Sequence, residues 1–266
     1  MKLSTRNIAL IAVFAALYYI LSIITPVIPV INVPTLNISL GALTASVFGL
    51  LLGPYLGALA AFLGAFVTWV LPPASGTLYG APFLLSPPLN ALVVGLIFYR
   101  KWKWAFASFA LLIVVFLFLP PSQPFSSYYY VSAAVIWDKI IALMLIIPTV
   151  IIGSRISKGT INFSGKFEKL SLSVNIGTLF FLLCFIGNQV DDMWGSNIFA
   201  VPTVYGDIFG LTLNGARAAF LVSPFIYPAI RLLQASIATG IALPIVLALR
   251  KTPWAIQKKS ILEQQV

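Results

Sequence analysis

Histidine is absent from these 266 residues, and Asp and Glu together number six. Without histidine the chain lacks the commonest metal ligand and the usual general base near neutral pH. The single cysteine, Cys184, excludes an intrachain disulfide and a multi-cysteine metal site. Flanked by Leu183 and Phe185, it is expected to be a buried packing residue. No Gly-x-x-x-x-Gly-Lys-Ser/Thr phosphate loop occurs, so the chain carries no ATPase of its own, and neither a Gly-x-Ser-x-Gly elbow nor a His-Glu-x-x-His zinc motif is present. Both glutamates, Glu168 and Glu263, lie near clusters of basic residues, which leaves few groups for acid–base chemistry elsewhere. The chain reads as a non-enzyme without cofactor or metal.

What is abundant is apolar surface. Hydrophobic residues make up 60% of the chain, charged residues 8%, and the mean hydropathy is +1.02. A soluble domain carries roughly 25% charged residues, so water cannot cover this chain on all sides and the lipid bilayer is its natural solvent. The net charge of +10 is concentrated rather than spread. Of sixteen Lys and Arg residues, all but Lys139, Arg217 and Arg231 fall in four groups: Lys2/Arg6, Arg100/Lys101/Lys103, Arg155/Lys158/Lys166/Lys169 and Arg250/Lys251/Lys258/Lys259. Cationic clusters between apolar runs mark the cytoplasmic face of a membrane protein and argue against nucleic acid as the partner.

The apolar runs are 7–24, 39–71, 83–99, 104–119, 131–153, 172–190 and 225–249. The first is longer than a signal-peptide core and lacks an A-x-A-like cleavage site, so it reads as an uncleaved helix. Clusters on one face require an even number of crossings between them, yet three runs lie between Arg6 and Arg100. The run 39–71 would be about 50 Å long as one helix, well beyond a bilayer of about 30 Å. It contains Gly53-Pro54, where proline breaks a helix. Division into 39–52 and 54–71, a tight hairpin, restores parity and gives eight crossings with both termini cytoplasmic. The arm 39–52 is short for a span. Gly49, Gly53, Gly57, Ala60, Ala61 and Gly64 suit close helix packing, with helix sliding as the alternative. The expected fold is an all-α bundle of six to eight helices, eight by parity: a single transmembrane domain over 1–251 and a cytoplasmic tail over 252–266.

This topology puts residues 25–38, 72–82, 120–130 and 191–224 on the outer side. The last stretch is rich in apolar residues and glycine, so an ordered lid or pocket wall is expected. It holds Asp191, Asp192, Asp207 and Arg217 with Trp194 and Tyr205, beside Asn188. Trp194 and Tyr205 suit either a pocket wall or an interfacial aromatic belt. Ser126–Tyr130 reads as an outer belt, and Trp102, Trp104 and Trp254 as the inner one. Charge at bilayer depth needs a partner or a watery cavity. Asp138 and Lys139 are adjacent, point about 100° apart on a helix, and are each expected to find another partner. Arg231 is left with three options: pairing with Asp138, Asp191 or Asp192, contact with an anionic ligand group, or snorkelling to the interface.

Ala9-Leu-Ile-Ala12-Val-Phe-Ala15-Ala16, a loop rich in Pro and Asn, and Val47-Phe-Gly-Leu-Leu-Leu-Gly-Pro-Tyr-Leu-Gly57 together resemble substrate-binding (S) components of energy-coupling factor (ECF) transporters. Gly187-Asn188-Gln-Val-Asp191-Asp192-Met-Trp194-Gly195-Ser196, followed by Ser223-Pro224-Phe-Ile-Tyr-Pro228-Ala-Ile-Arg231, looks like the end of S-component-like proteins from archaea. The resemblance implies a small membrane protein that binds a vitamin or related micronutrient from outside. It also implies docking, through an Ala-x-x-x-Ala surface on the first helix, to a transmembrane coupling (T) component driven by two cytoplasmic ATPases. Ala12 and Ala16 match that motif, with packing inside this chain as the alternative. The usual S component has six helices, two fewer than the parity count.

The expected function is therefore capture of a small micronutrient by Asn188, Asp191, Asp192, Trp194, Tyr205 and Arg231, with Asp138 and Lys139 as intramembrane charge. A self-sufficient secondary transporter would instead couple ions through Asp138/Lys139, and an intramembrane enzyme would need a catalytic set the chain does not display.

Overall fold

The computed structural model describes residues 4–24, 27–30, 33–39, 43–72, 75–157 and 166–249. Lys2, Lys158, the basic residues from Arg250 onward, Trp254 and the tail 252–266 lie outside the described residues.

Helix α1 (Thr5–Ile24) leads to a two-stranded antiparallel hairpin, β1 (Val27–Val30) and β2 (Val33–Ser39), paired from Val27 against Ser39 with a register shift between Pro29 and Val30. The helical bundle thus carries one hairpin, in the region expected to lie outside. Seven further helices follow: α2 (Thr44–Leu52), α3 (Pro54–Val70), α4 (Ser86–Phe98), α5 (Trp102–Leu117), α6 (Phe125–Ser157), α7 (Lys166–Phe199) and α8 (Leu213–Leu249). Among the described residues, five segments are long and apolar enough to cross a bilayer: Thr5–Ile24, Ala81–Phe98, Phe125–Ile156, Val174–Phe199 and Pro224–Ala248. Pro54–Val70 and Trp102–Leu117 are apolar but shorter.

The chain folds back at Gly53-Pro54. Gly53 sits at φ 82°, a left-handed conformation that a side chain disfavours, and Pro54 opens α3 where a missing donor costs nothing. The two arms then touch. A Cβ on Gly57 would stand 2.6 Å from the Phe48 carbonyl oxygen, so only glycine allows this approach. Every residue of α2 is buried, Thr44 and Ser46 among them. α1 covers it through Phe14 and Tyr18, whose rings meet that of Phe48.

Helix α7 is the hub of the bundle, packing against α2, α4, α5, α6 and α8. Cys184 is buried there. Where 191–224 was expected to be an outer loop, α7 continues unbroken to Phe199 and α8 starts at Leu213, leaving only Ala200–Thr212 between them. The physical reason is that the charges at 191 and 192 do not end the helix. The cost of Asp192 is met by Lys139 on α6 and Arg231 on α8, and the first proline after it is Pro202. A π-helical turn (Thr203–Ile208) occupies the middle of that connection.

Candidate functional site

Three helices bring their charges to one place. Asp138 and Lys139 come from α6, Asp192 from α7 and Arg231 from α8. Lys139, fully buried, places Nζ 2.9 Å from Asp138 Oδ1 and against Asp192 Oδ2. Arg231 places Nη2 2.6 Å from Asp192 Oδ1 and donates from Nη1 to Gln234 Oε1 at 2.8 Å. Two carboxylates and two cations thus compensate one another in surroundings where an unmatched charge would be costly. Asp192 lies about 10 Å along α7 from its end at Phe199.

Two expectations are corrected here. Asp138 and Lys139 do pair despite their offset on the helix, because the flexible four-carbon stem of lysine reaches back across it. Arg217, grouped by sequence with the functional cations, is instead a clamp on the 120–124 turn. Its Nε and Nη2 donate to the carbonyls of Pro121 (3.2 Å) and Gln123 (2.6 Å), and its guanidinium lies 3.3 Å from the centre of the Tyr128 ring.

A second polar chain adjoins the first. Ser46 Oγ on α2 donates to Asn90 Oδ1 on α4 at 2.7 Å, and Asn90 Nδ2 donates to Asn188 Oδ1 on α7 at 3.2 Å. Gly187 makes this contact possible, since a Cβ there would collide with the Asn90 amide. Interhelical hydrogen bonds of this kind join helices where no hydrophobic force can. Asp191 makes no ion pair with a described residue; it lies against Ser86 and within electrostatic reach of Arg231 and Asp192. Tyr18 of α1 lies within electrostatic reach of Asp191, and Tyr227 of α8 within reach of Asp192 and Arg231.

Buried polar atoms without a hydrogen-bond partner gather around this cluster: Asn188 Nδ2, both amide atoms of Gln189, Trp194 Nε1 and Arg231 Nε. Unmet buried donors are rare in folded proteins and call for an explanation. The structure therefore brings Asn188, Asp191, Asp192, Arg231, Asp138 and Lys139 together, with Trp194 one turn beyond Asp191. It does not bring in Tyr205, which is buried in the π-helical turn and makes no hydrogen bond or ring contact with the charged cluster. Sequence reasoning missed Gln189, Gln234, Asn90 and Ser46. The available signal was a polar residue inside an apolar run.

Elsewhere, Ala12 and Ala16 are exposed on α1, whose buried face is Ile11, Ala15 and Tyr18. Tyr129 and Tyr130 are exposed at the start of α6, and Trp104 at the start of α5.

Residues 2–160 match the family described as ECF-type riboflavin transporter, S component. No curated protein matches, and no solved structure does. The matched segment contains α1 to α6, including Asp138 and Lys139, and stops before α7 and α8, which supply Asp192 and Arg231. S components are multi-pass membrane proteins that bind the substrate of a vitamin transporter and catalyse no reaction. With more than half of its length matched, this chain belongs to the S-component family of ECF-type riboflavin transporters.

Proposed function

We propose that the protein captures a flavin-type vitamin at the outer side of the membrane and delivers it with the help of a separate T component and a pair of ATPases. The observation that carries this reading is the charge cluster of α6, α7 and α8. In a chain of this family, it gathers polar groups whose bonds within the protein are unmet. Asn188, Asp191, Asp192, Trp194 and Arg231 are the ligand or gating residues in this reading.

The topology that goes with it has eight crossings within residues 1–251, a tail over 252–266 and both termini in the cytoplasm. Contacts at the Gly53 turn support it. Tyr99 donates to the Leu50 carbonyl at 3.1 Å, and Lys101 Nζ stands 5.2 Å from the centre of the Tyr55 ring. The turn therefore sits beside the Arg100–Lys103 cluster, on the face the parity argument requires. The exposure of Ala12 and Ala16 favours docking over internal packing for that pair.

Riboflavin fluorescence tests the binding role directly. Titration of the purified protein into riboflavin should quench the flavin at a saturable site and raise the protein's melting temperature. Unchanged fluorescence and an unchanged melting temperature would remove the support for vitamin capture.

A further inference from the structure

We propose that residues 221–230 of α8 form a movable strap that swings away from α7 to admit the ligand and settles back over it. The sign of it is an interrupted stripe. Residues of α8 are buried every three or four positions, at Ala216, Arg217 and Phe220 on one side and at Arg231, Gln234 and Ala235 on the other. Helical spacing carries that stripe through Pro224, Tyr227 and Pro228. These three are only half-buried, and no described residue over 221–230 is buried. Over the same height α7 is half-buried too, at Asp192, Trp194, Gly195 and Ser196.

Both ends of the strap are fastened. On the outer side the Phe220 ring centre stands 5.5 Å from that of Phe199 on α7 and 5.3 Å from that of Phe116 on α5, and Arg217 holds the 120–124 turn. On the inner side Arg231 is held by Asp192. Between these fastenings α7 rises about 10 Å from Asp192 to Phe199, whereas α8 rises about 16 Å from Phe220 to Arg231. The extra length of about 6 Å lets α8 stand off α7 there, in keeping with the lost burial. The middle is also the easiest part to bend. Proline has no N–H, so Pro224 and Pro228 leave the carbonyls of Phe220 and Pro224 without their helical donors, and two successive rungs are missing on one face. A helix fastened at both ends, but unpacked and weakened between them, moves at its middle. The strap lies beside Asp192 and Trp194, so its movement governs access to residues assigned above to the ligand. This inference rests on the vitamin-binding role proposed above.

Two measurements test it. Hydrogen–deuterium exchange of the ligand-free protein should find amides over 221–230 exchanging about tenfold or more faster than those over 231–242. Equal protection of the two stretches overturns the strap, whatever the protein binds. Stopped-flow mixing with riboflavin is the second measurement. Pro224→Ala together with Pro228→Ala restores the missing donors, and should slow association and dissociation alike by about tenfold while keeping affinity within about threefold. Pro244→Ala, the same exchange in α8 beyond the strap, should leave both rates within about twofold of wild type. Rates unchanged in the double variant, or slowed as much by Pro244→Ala, overturn the gating role and leave vitamin capture standing. Failure of the wild type to bind riboflavin overturns vitamin capture and the gating role with it, whereas the exchange contrast still decides whether the segment moves.

Discussion

Asp192 and Arg231 meet at 2.6 Å across α7 and α8, and the other oxygen of the same carboxylate takes Lys139 from α6. One acid thus holds three helices. Two of these lie outside the family-matched segment and one inside it, so the contact joins the part of the chain shared with the family to the part beyond it.

Asp192→Asn should therefore be far more damaging than loss of an ordinary membrane ion pair. It leaves the buried Arg231 without a carboxylate and Lys139 with Asp138 alone. Removing one partner of a buried pair costs about 3–5 kcal/mol. Thermal unfolding in detergent should show it as a marked fall in melting temperature. Lys139→Met should fall less, because Asp192 keeps Arg231. Equal melting of Asp192→Asn and the wild type would show that the pairing carries no stability.

The two arginines separate function from scaffold. Arg217→Ala loses two bonds to backbone carbonyls and a ring contact, which should cost about 1–3 kcal/mol of stability. Riboflavin affinity should stay within about twofold, since the clamp is distant from the cluster. Arg231→Lys keeps the charge but loses the planar fork that serves Asp192 and Gln234 together. Affinity should drop about tenfold in that variant. Calorimetric titration of both variants distinguishes the roles.

Much of this architecture was legible because it rests on one-dimensional rules. Parity among the basic clusters and a Gly-Pro pair inside an over-long run predicted the turn that Gly53 makes with φ 82°. The C-terminal third resisted the same logic. The apolar run ends before Asp191, whereas the helix continues past Asp192, whose charge is matched by residues 53 positions earlier and 39 positions later, Lys139 and Arg231. Which of two adjacent aspartates takes the arginine depends on a 100° turn of α7 relative to α8, and no local pattern encodes that.

The turn itself is open to test. Gly53→Ala forces a side chain into a conformation that costs about 1–3 kcal/mol. Gly57→Val adds a steric conflict with the Phe48 carbonyl and should push α2 and α3 apart. Both variants should melt below the wild type, with Gly57→Val the worse because backbone atoms on a fully buried helix cannot yield as a flexible side chain would. Reversal of that order would mean that backbone conformation, not contact between the arms, sets the stability of the hairpin.

Docking to the coupling component predicts a different pattern, in which stability and function separate. Ala12 and Ala16 are exposed on α1, to one side of the buried stripe of Ile11, Ala15 and Tyr18. Replacing either with Trp adds bulk where the protein itself has room, so melting temperature and riboflavin affinity should stay close to wild type. A partner helix that approaches closely over small residues would be displaced, and co-purification with a co-expressed T component and its ATPases should be lost. Ala15→Trp is the control, since Ala15 is buried against the bundle and its enlargement should destabilise the isolated protein. If Ala12→Trp and Ala16→Trp melt as low as Ala15→Trp, or retain the complex, the exposed alanines are not the docking surface.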